Sequence, residues 1–157
     1  MTKNMFVRCA STSDAHRCSE LLGYLFRQEA EFFPDPETQQ KGLEMIFNNP
    51  DSGTVFVCEE RRSRVITGMV ILLYTISTAL GKKVALLEDM IVDPGFRLQG
   101  IGSMLIEHAL RHAASEGIER VTLLTDHDNT AAHRLYETNG FVRSGMIVFR
   151  KKISTDE

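Results

Sequence analysis

One segment, residues 86–103, constrains the fold of this chain more than any other. Residues 86–92 are mostly apolar and predict a strand, which ends at Pro94-Gly95. A basic, Gly-rich turn follows, and apolar side chains then recur with helical spacing over residues 101–115. A strand, a glycine turn and a helix in this order form an anion site, because the first helical turn presents unpaired N–H groups. The segment therefore predicts a phosphate-binding site.

The remaining sequence predicts a single domain over residues 1–157, of the α+β class. Short turns join three successive strands, which we expect to pair antiparallel, and the helix crossover makes the next strand parallel to the one before it. The result is a mostly antiparallel mixed sheet with one parallel pair in its middle and helices on both faces. The predicted strands are 5–9, 54–60, 65–77, 83–92, 121–125, 141–144 and 146–153, and the predicted helices are a first one beginning at 11–14, then 35–47, 101–115 and 129–138.

The composition is ordinary for a globular protein and argues against several functions. A net charge of −3 lacks the basic face that nucleic-acid binding normally needs. The three cysteines form no CxxC or Cys/His pattern, so neither a disulfide framework nor a zinc knuckle is predicted. No signal core is present, and no apolar run approaches the roughly 20 residues that cross a bilayer. We therefore expect a cytoplasmic protein with no nucleic-acid and no membrane partner.

Two motifs carry a family resemblance. Residues 97–102 match the pattern Q/R-x-x-G-x-G/A between a strand and a helix, and residues 129–141 supply an Asn…Tyr…Gly-Phe segment. With both motifs and this element order, the chain resembles the GCN5-related N-acetyltransferase (GNAT) superfamily over nearly its whole length. A dinucleotide-binding fingerprint would need a third Gly at the position of Leu105, and a Walker loop would need Gly-Lys-Ser/Thr after the turn. The sequence has neither, which argues against both kinds of nucleotide site. A plain turn before a helix does not explain Arg97 together with both glycines.

The resemblance implies that the turn binds the pyrophosphate of acetyl-CoA, the co-substrate. Main-chain amides would surround the phosphates, and Arg97 would add charge. Leu98 departs from the Gly or basic residue often found there, a change that an amide contact tolerates. The preceding strand would pair with the pantetheine arm, which requires the two parallel strands to splay apart. The implied cofactor-binding residues are Met90, Ile91, Val92, Arg97, Leu98, Gln99, Gly100, Ile101, Gly102, Ser103 and Asn129. For Asn129, helix capping is the alternative.

Two side chains are candidates for proton transfer. An alkylammonium has a pKa of about 10.4, so a transferase must remove a proton before the amine attacks and later protonate the thiolate of CoA. A regular strand places Glu88 on one face with Leu86 and Met90, and Asp89 on the other. The Glu-Asp pair resembles that of polyamine and aminosugar acetyltransferases, and Glu88 is the predicted base, through a water. Tyr136 is the predicted general acid, and a core tyrosine is the alternative.

The acceptor site is expected in the loop between the first two helices, which commonly helps to form it in the resembled family. The candidate residues are Glu29, Glu31, Phe32 and Phe33. A solvated acidic turn and core aromatic residues are the alternatives. The predicted reaction is acetyl transfer from acetyl-CoA to a primary amine of a polyamine, aminosugar or amino-acid-like small molecule, by direct attack in a ternary complex. A protein lysine or N-terminal acetyltransferase and a non-catalytic acyl-CoA-binding module are the alternatives.

Metal binding is not expected. His108 and His112 have the i, i+4 spacing of a metal pair, but they lie away from Ile106 and Leu110 and predict a solvated face. A homodimer is one arrangement compatible with the resemblance, and paired edge strands near the C-terminus would be one route to it.

Overall fold

The computed structural model describes residues 2–29 and 33–155. Within these ranges the chain forms one mixed sheet flanked by helices, in the order that the sequence predicts. The elements are β1 (Met5–Cys9), α1 (Ala15–Gln28), α2 (Pro36–Phe47), β2 (Gly53–Glu60), β3 (Ile66–Ser77), β4 (Lys82–Val92), α3 (Ile101–Ser115), β5 (Val121–Leu123) and α4 (Thr130–Thr138).

The five described strands are ordered β1-β2-β3-β4-β5 across the sheet. The first three pairings are antiparallel. Short turns reverse the chain between β2, β3 and β4, whereas α1 and α2 lie between β1 and β2. The pairing of β4 with β5 is parallel, because α3 carries the chain back along the sheet. The mixed sheet is therefore confirmed. Its parallel pair lies at one edge of the sheet rather than in the middle.

Apolar side chains fill both faces of the sheet. Helices α1 and α2 cover one face through a cluster that includes Leu21 and Leu43, both almost fully buried against β2, β3 and β4. Helix α3 covers the other face through Leu105 and Ile106, which are fully buried. The two layers hold β4 rigidly between them, so a group at its end has a fixed position relative to α1, α2 and α3.

Local sequence signals explain the helix boundaries near the site. The Asp35 side chain accepts a hydrogen bond from the Thr38 amide at 3.3 Å, and Pro36 occupies the first helical position of α2. Before α1, the Asp14 carboxylate accepts a hydrogen bond from the Ser11 amide at 2.8 Å and pairs with Arg8. These contacts fix the start of α1 and the start of α2.

The prediction of strands at 141–144 and 146–153 is wrong for this structure. No strand forms there, and β5 has β4 as its only sheet neighbour among the described residues. A strand exists only through pairing with a neighbouring backbone, and the described part of the chain offers this segment none. Its large apolar side chains are exposed as a result, and they are Val142, Met146, Ile147, Val148, Phe149 and Ile153.

Candidate active site

Strands β4 and β5 separate after a short stretch of pairing. They are in register only from Ala85 with Val121 to Leu87 with Leu123. Beyond Leu87, β4 continues to Val92 on the β3 side, while none of the described strands pairs with it on the β5 side. This is the slot that the resemblance implies. The residues predicted to bind the pantetheine arm, Met90, Ile91 and Val92, lie along it.

A β-bulge lies at the point where the strands separate. Ile71 of β3 opposes Glu88, but the next pair in register is Met69 with Ile91, so two residues of β4 face one of β3. Asp89 adopts a φ of +51°, which is unusual for a non-glycine residue and typical of a bulge.

The bulge overturns the predicted orientation of the two carboxylates. Glu88 opposes Ile71, whose side chain belongs to the cluster under α1 and α2, and residues directly opposite share a face. Asp89 lines a pocket on that same side, whereas Met90 packs toward α3. The prediction that Glu88 and Asp89 face opposite sides, with Met90 beside Glu88, is therefore wrong. It assumed a strict two-residue alternation, which an inserted residue breaks.

The glycine turn presents main-chain donors at the start of α3. No described residue accepts a hydrogen bond from the amides of residues 98–103. Gly100 precedes the helix with a φ of +77°, a conformation that costs glycine little, and Leu98 has a φ of +61°. These amides fit a diphosphate, because consecutive unpaired N–H groups at a helix start attract anions.

Two arginines lie next to the turn and act differently. Arg17 of α1 pairs with Asp93 at 2.5 Å, and Asp93 also accepts from the Gly95 amide at 2.8 Å, so the turn is tied to α1. Arg97 donates from Nε to the Val92 carbonyl at 3.2 Å and is exposed at the surface. Arg97 therefore lies beside the turn, and its contact with the phosphates stays a prediction. No sequence signal points to Arg17.

Helix α4 closes against the start of α3. A Cβ atom on Gly102 would lie 3.1 Å from a methyl group of Leu135 and 3.3 Å from the terminal methyl of Met90. The Asn139 side-chain amide donates to the Ser103 hydroxyl at 3.2 Å. These contacts fix α4, and with it Tyr136, beside the glycine turn.

Asn129 serves as the N-cap of α4. Its side-chain oxygen accepts a hydrogen bond from the Ala132 amide at 3.1 Å. The capping alternative is thus what the structure contains, and the predicted contact with the cofactor has no support from its geometry.

A pocket of about 340 Å³ opens between α1, α2 and the bulge. Asp89 lines it, and Glu88 does not. Phe33 also lines it and is 89% exposed, so the alternative that this ring is buried in the core is wrong. Glu31 and Phe32, the other two loop candidates, lie outside the described residues. The remaining lining residues are Leu22, Phe26, Asp35, Thr38, Gln39, Gly42, Leu43, Ile46 and Ile71.

Electrostatics connect three groups of the site. Burial, followed by the charges of Glu88 and Glu29, raises the pKa of Asp89 from 3.8 to about 6. Burial also raises the pKa of Tyr136, with a further contribution from Glu29. Glu29 thus acts on both the bulge and α4. At neutral pH Tyr136 holds its proton, and Asp89 is ionised but close to its titration range, which suits an acid and a base respectively.

The sequence predicted that the histidine pair on α3 lies on a solvated face, and this prediction is wrong. His108 and His112 pack edge-on against Phe56 with ring centroids 5.3 and 5.1 Å away, and His112 Nε2 lies 3.3 Å from the Tyr74 hydroxyl. Over residues 2–29 and 33–155, no cluster of three or more His, Cys, Asp or Glu side chains is placed to hold a metal ion. None of the described helices is long and apolar enough to span a membrane.

Comparison with known proteins gives concordant matches. Residues 19–141 match the model of the acetyltransferase (GNAT) family. An uncharacterized N-acetyltransferase of Bacillus subtilis, YhfO, is 32% identical over 140 residues, which cover 87% of this chain and 89% of that protein. A possible acetyltransferase from Clostridium difficile 630 has a TM-score of 0.85 at 16% identity, covering 97% of this chain and 99% of that one.

A predicted acetyltransferase from Clostridium acetobutylicum, solved with acetyl-CoA, has a TM-score of 0.76 at 14% identity and covers 94% of this chain and 96% of its own. At these identities the structural likeness supports the fold alone. The family match covers most of the chain, and the glycine turn and the splayed strands lie inside the matched range. This chain is therefore a member of the acetyltransferase (GNAT) family.

Proposed function

We propose that this acetyltransferase transfers the acetyl group of acetyl-CoA to the primary amine of a small molecule, by direct attack in a ternary complex. The observation that carries the proposal is the pocket beside the β4 bulge. Its floor holds Asp89, and the slot between β4 and β5 starts at the same point. The charge of Glu29 contributes to the raised pKa of both Asp89 and Tyr136, which supports a base and an acid near the same point of the sheet.

The chain's own residues account for binding and proton transfer. Amides of residues 98–103 hold the diphosphate, and the edge of β4 beyond Leu87 pairs with the pantetheine arm. Bound acetyl-CoA supplies the thioester that the amine attacks. Asp89 accepts one proton of the substrate ammonium, and the free amine attacks the thioester carbon. Tyr136 donates its phenol proton to the thiolate as the carbon–sulfur bond breaks, and the second nitrogen proton restores the phenol as the amide forms.

The proposal assigns the base to Asp89 rather than to Glu88, the residue that the sequence favoured. Asp89 lines the pocket, and its burial brings its pKa near the physiological range, where a general base is most effective. Glu88 then acts through its charge, which helps to raise the pKa of its neighbour.

The lining of the pocket favours an amine on a compact apolar body. Six of its residues are large and apolar, and no lysine or arginine is among the described lining residues. Its polar side chains are already engaged, since Thr38 donates to Asp35 at 2.8 Å and Gln39 donates to the Ser19 carbonyl at 2.7 Å. Such a pocket attracts a cationic head near Asp89 but offers little to the hydroxyls of a sugar or to a phosphate, because its lining is mostly apolar and its two acidic residues, Asp35 and Asp89, carry negative charge.

A thiol-release assay with acetyl-CoA tests the proposal. The panel contains aryl- and alkylamines, polyamines, aminosugars, amino acids and lysine-bearing peptides. We expect turnover to be highest with the apolar monoamines and to fall by at least about 100-fold in Asp89→Asn, the usual scale for a general base. Turnover with peptides alone would favour a protein acetyltransferase. Tight binding of CoA without turnover on any acceptor would favour a non-catalytic module.

A further inference from the structure

Arg17 of α1 lies at a junction between three parts of the fold. Its Nη2 pairs with Asp93 at 2.5 Å, its Nε donates to the Ile66 carbonyl at 3.1 Å, and its Nη1 pairs with Glu20 at 3.0 Å. These partners lie at the start of the glycine turn, at the start of β3 and on α1 itself. A guanidinium whose three nitrogens are all engaged has a fixed position, so its charge stays beside the turn.

Asp93 brings a negative charge to the start of the glycine turn. Its Oδ1 accepts from the Gly95 amide at 2.8 Å, and its Oδ2 is held by Arg17. Burial alone would raise the pKa of this carboxyl group, but the hydrogen bonds from Arg17 and Gly95 lower it, so Asp93 is ionised at neutral pH. The side chain is only 16% exposed, and solvent therefore screens its charge weakly. Without a partner, this carboxylate would repel a diphosphate on the amides of residues 98–103.

We propose that Arg17 is a positioning residue for the coenzyme, and that its charge neutralises Asp93. The turn then keeps the carboxylate that holds Gly95 without presenting an uncompensated negative charge to the phosphates. Arg97 contributes less to this neutralisation, because it is exposed to solvent and acts on Asp93 only through its charge. The inference rests on the proposed function, since it takes the glycine turn as the site of the CoA diphosphate.

A purely mechanical tether between α1 and the turn makes a different prediction. A tether needs both partners equally, so Arg17→Gln and Asp93→Asn would weaken CoA binding alike. Charge neutralisation separates the two variants. Loss of Arg17 leaves an unpaired carboxylate near the phosphates, whereas Asp93→Asn removes that charge and keeps a side-chain oxygen that accepts from the Gly95 amide.

Calorimetric titration of the full chain with CoA, at about 0.02 M and about 0.5 M salt, tests the proposal. Arg17→Gln should weaken binding by about tenfold at low salt and by clearly less at high salt, because salt screens the repulsion. Asp93→Asn should bind CoA at least as tightly as the wild type. The double variant Arg17→Gln/Asp93→Asn should recover wild-type affinity to within about twofold, since the charge that Arg17 neutralises is gone. Equal weakening in both single variants, or a double variant no tighter than Arg17→Gln, would overturn the proposal.

Two further variants separate the charge of Arg17 from its contribution to folding. Arg17→Lys keeps the positive charge but not the planar fork, and it should retain CoA affinity to within about threefold. Glu20→Gln removes the other ion pair of the same arginine and should change the affinity by less than about twofold. An affinity loss in Arg17→Lys as large as that in Arg17→Gln would overturn the charge role. A wild-type protein that does not bind CoA would overturn the proposed function as well, whereas a double variant that fails to recover affinity overturns this inference alone.

Discussion

Replacing Asp89 with Asn should make the fold more stable at neutral pH. Burial, followed by the charges of Glu88 and Glu29, raises the pKa of Asp89 from 3.8 to about 6. A carboxyl group whose pKa is higher in the folded than in the unfolded chain binds its proton more tightly when folded, so its ionised form weakens the fold. This cost is absent below pH 3.8, grows as the pH rises, and is complete above about pH 6.

The magnitude follows from the two pKa values. A difference of one in pKa corresponds to about 1.4 kcal/mol. The ionised Asp89 carboxylate therefore lowers the free energy of unfolding by at most about 3 kcal/mol. Local relaxation and water reduce this figure, and we expect a gain of about 1–3 kcal/mol in Asp89→Asn above pH 7. In a domain of this size, that gain raises Tm by roughly 2–10 °C.

Thermal unfolding followed by circular dichroism at pH 7.5 and pH 4 measures the effect. The matched control is Asp51→Asn, which makes the same chemical change at an exposed position and should leave Tm nearly unchanged at both pH values. The reasoning is refuted if Asp89→Asn melts at or below the wild-type temperature at pH 7.5. It is also refuted if the gain is as large at pH 4 as at pH 7.5.

Three further perturbations test the roles assigned to the site. In Glu88→Gln, activity should persist. The acidic limb of its kcat/KM profile, near pH 6 in the wild type, should move to lower pH, because the variant lacks the negative charge beside Asp89. A loss of activity by several orders of magnitude would instead assign the base role to Glu88. Tyr136→Phe should lower kcat by about one to three orders of magnitude with calorimetric CoA affinity unchanged, and an unaltered kcat would exclude this phenol as the acid. Gly100→Ala and Gly117→Ala each force alanine to a φ above +70° and should each lose about 1–2 kcal/mol in urea unfolding. Only the first should weaken CoA binding, by about tenfold, and equal affinities in the two variants would argue against the turn as the phosphate site.

Much of the fold could be predicted from the sequence because its signals are local. The bounds of α2 follow from Asp35 and Pro36 at its start, and those of α3 from the glycine turn before it and Gly117 after it. The bounds of α3 are those that the sequence predicts, and α2 begins one residue later than predicted, after its capping Asp35. The mixed sheet follows from turn lengths and the handedness of a helix crossover.

The site was harder to predict, because a bulge is set by pairing between strands. Nothing in the sequence around Asp89 marks an inserted residue, so a regular alternation assigned the pocket position to the wrong carboxylate. The pairing of Arg17 with Asp93 joins residues far apart in the sequence and has no local signature either. The missing strands after Phe141 have the same origin, since an alternating pattern predicts a strand but does not show whether a neighbouring backbone is there to pair with it.

The central claim is that main-chain amides at the start of α3 bind the diphosphate of CoA. Two-dimensional ¹H–¹⁵N spectra of the labelled protein, titrated with CoA, test it directly. The account predicts saturable shifts of the amide signals of residues 98–103, with little change at Gly117, whose amide is already hydrogen-bonded at the other end of the helix. Binding that leaves the signals of residues 98–103 unmoved, or no binding at all, would contradict it.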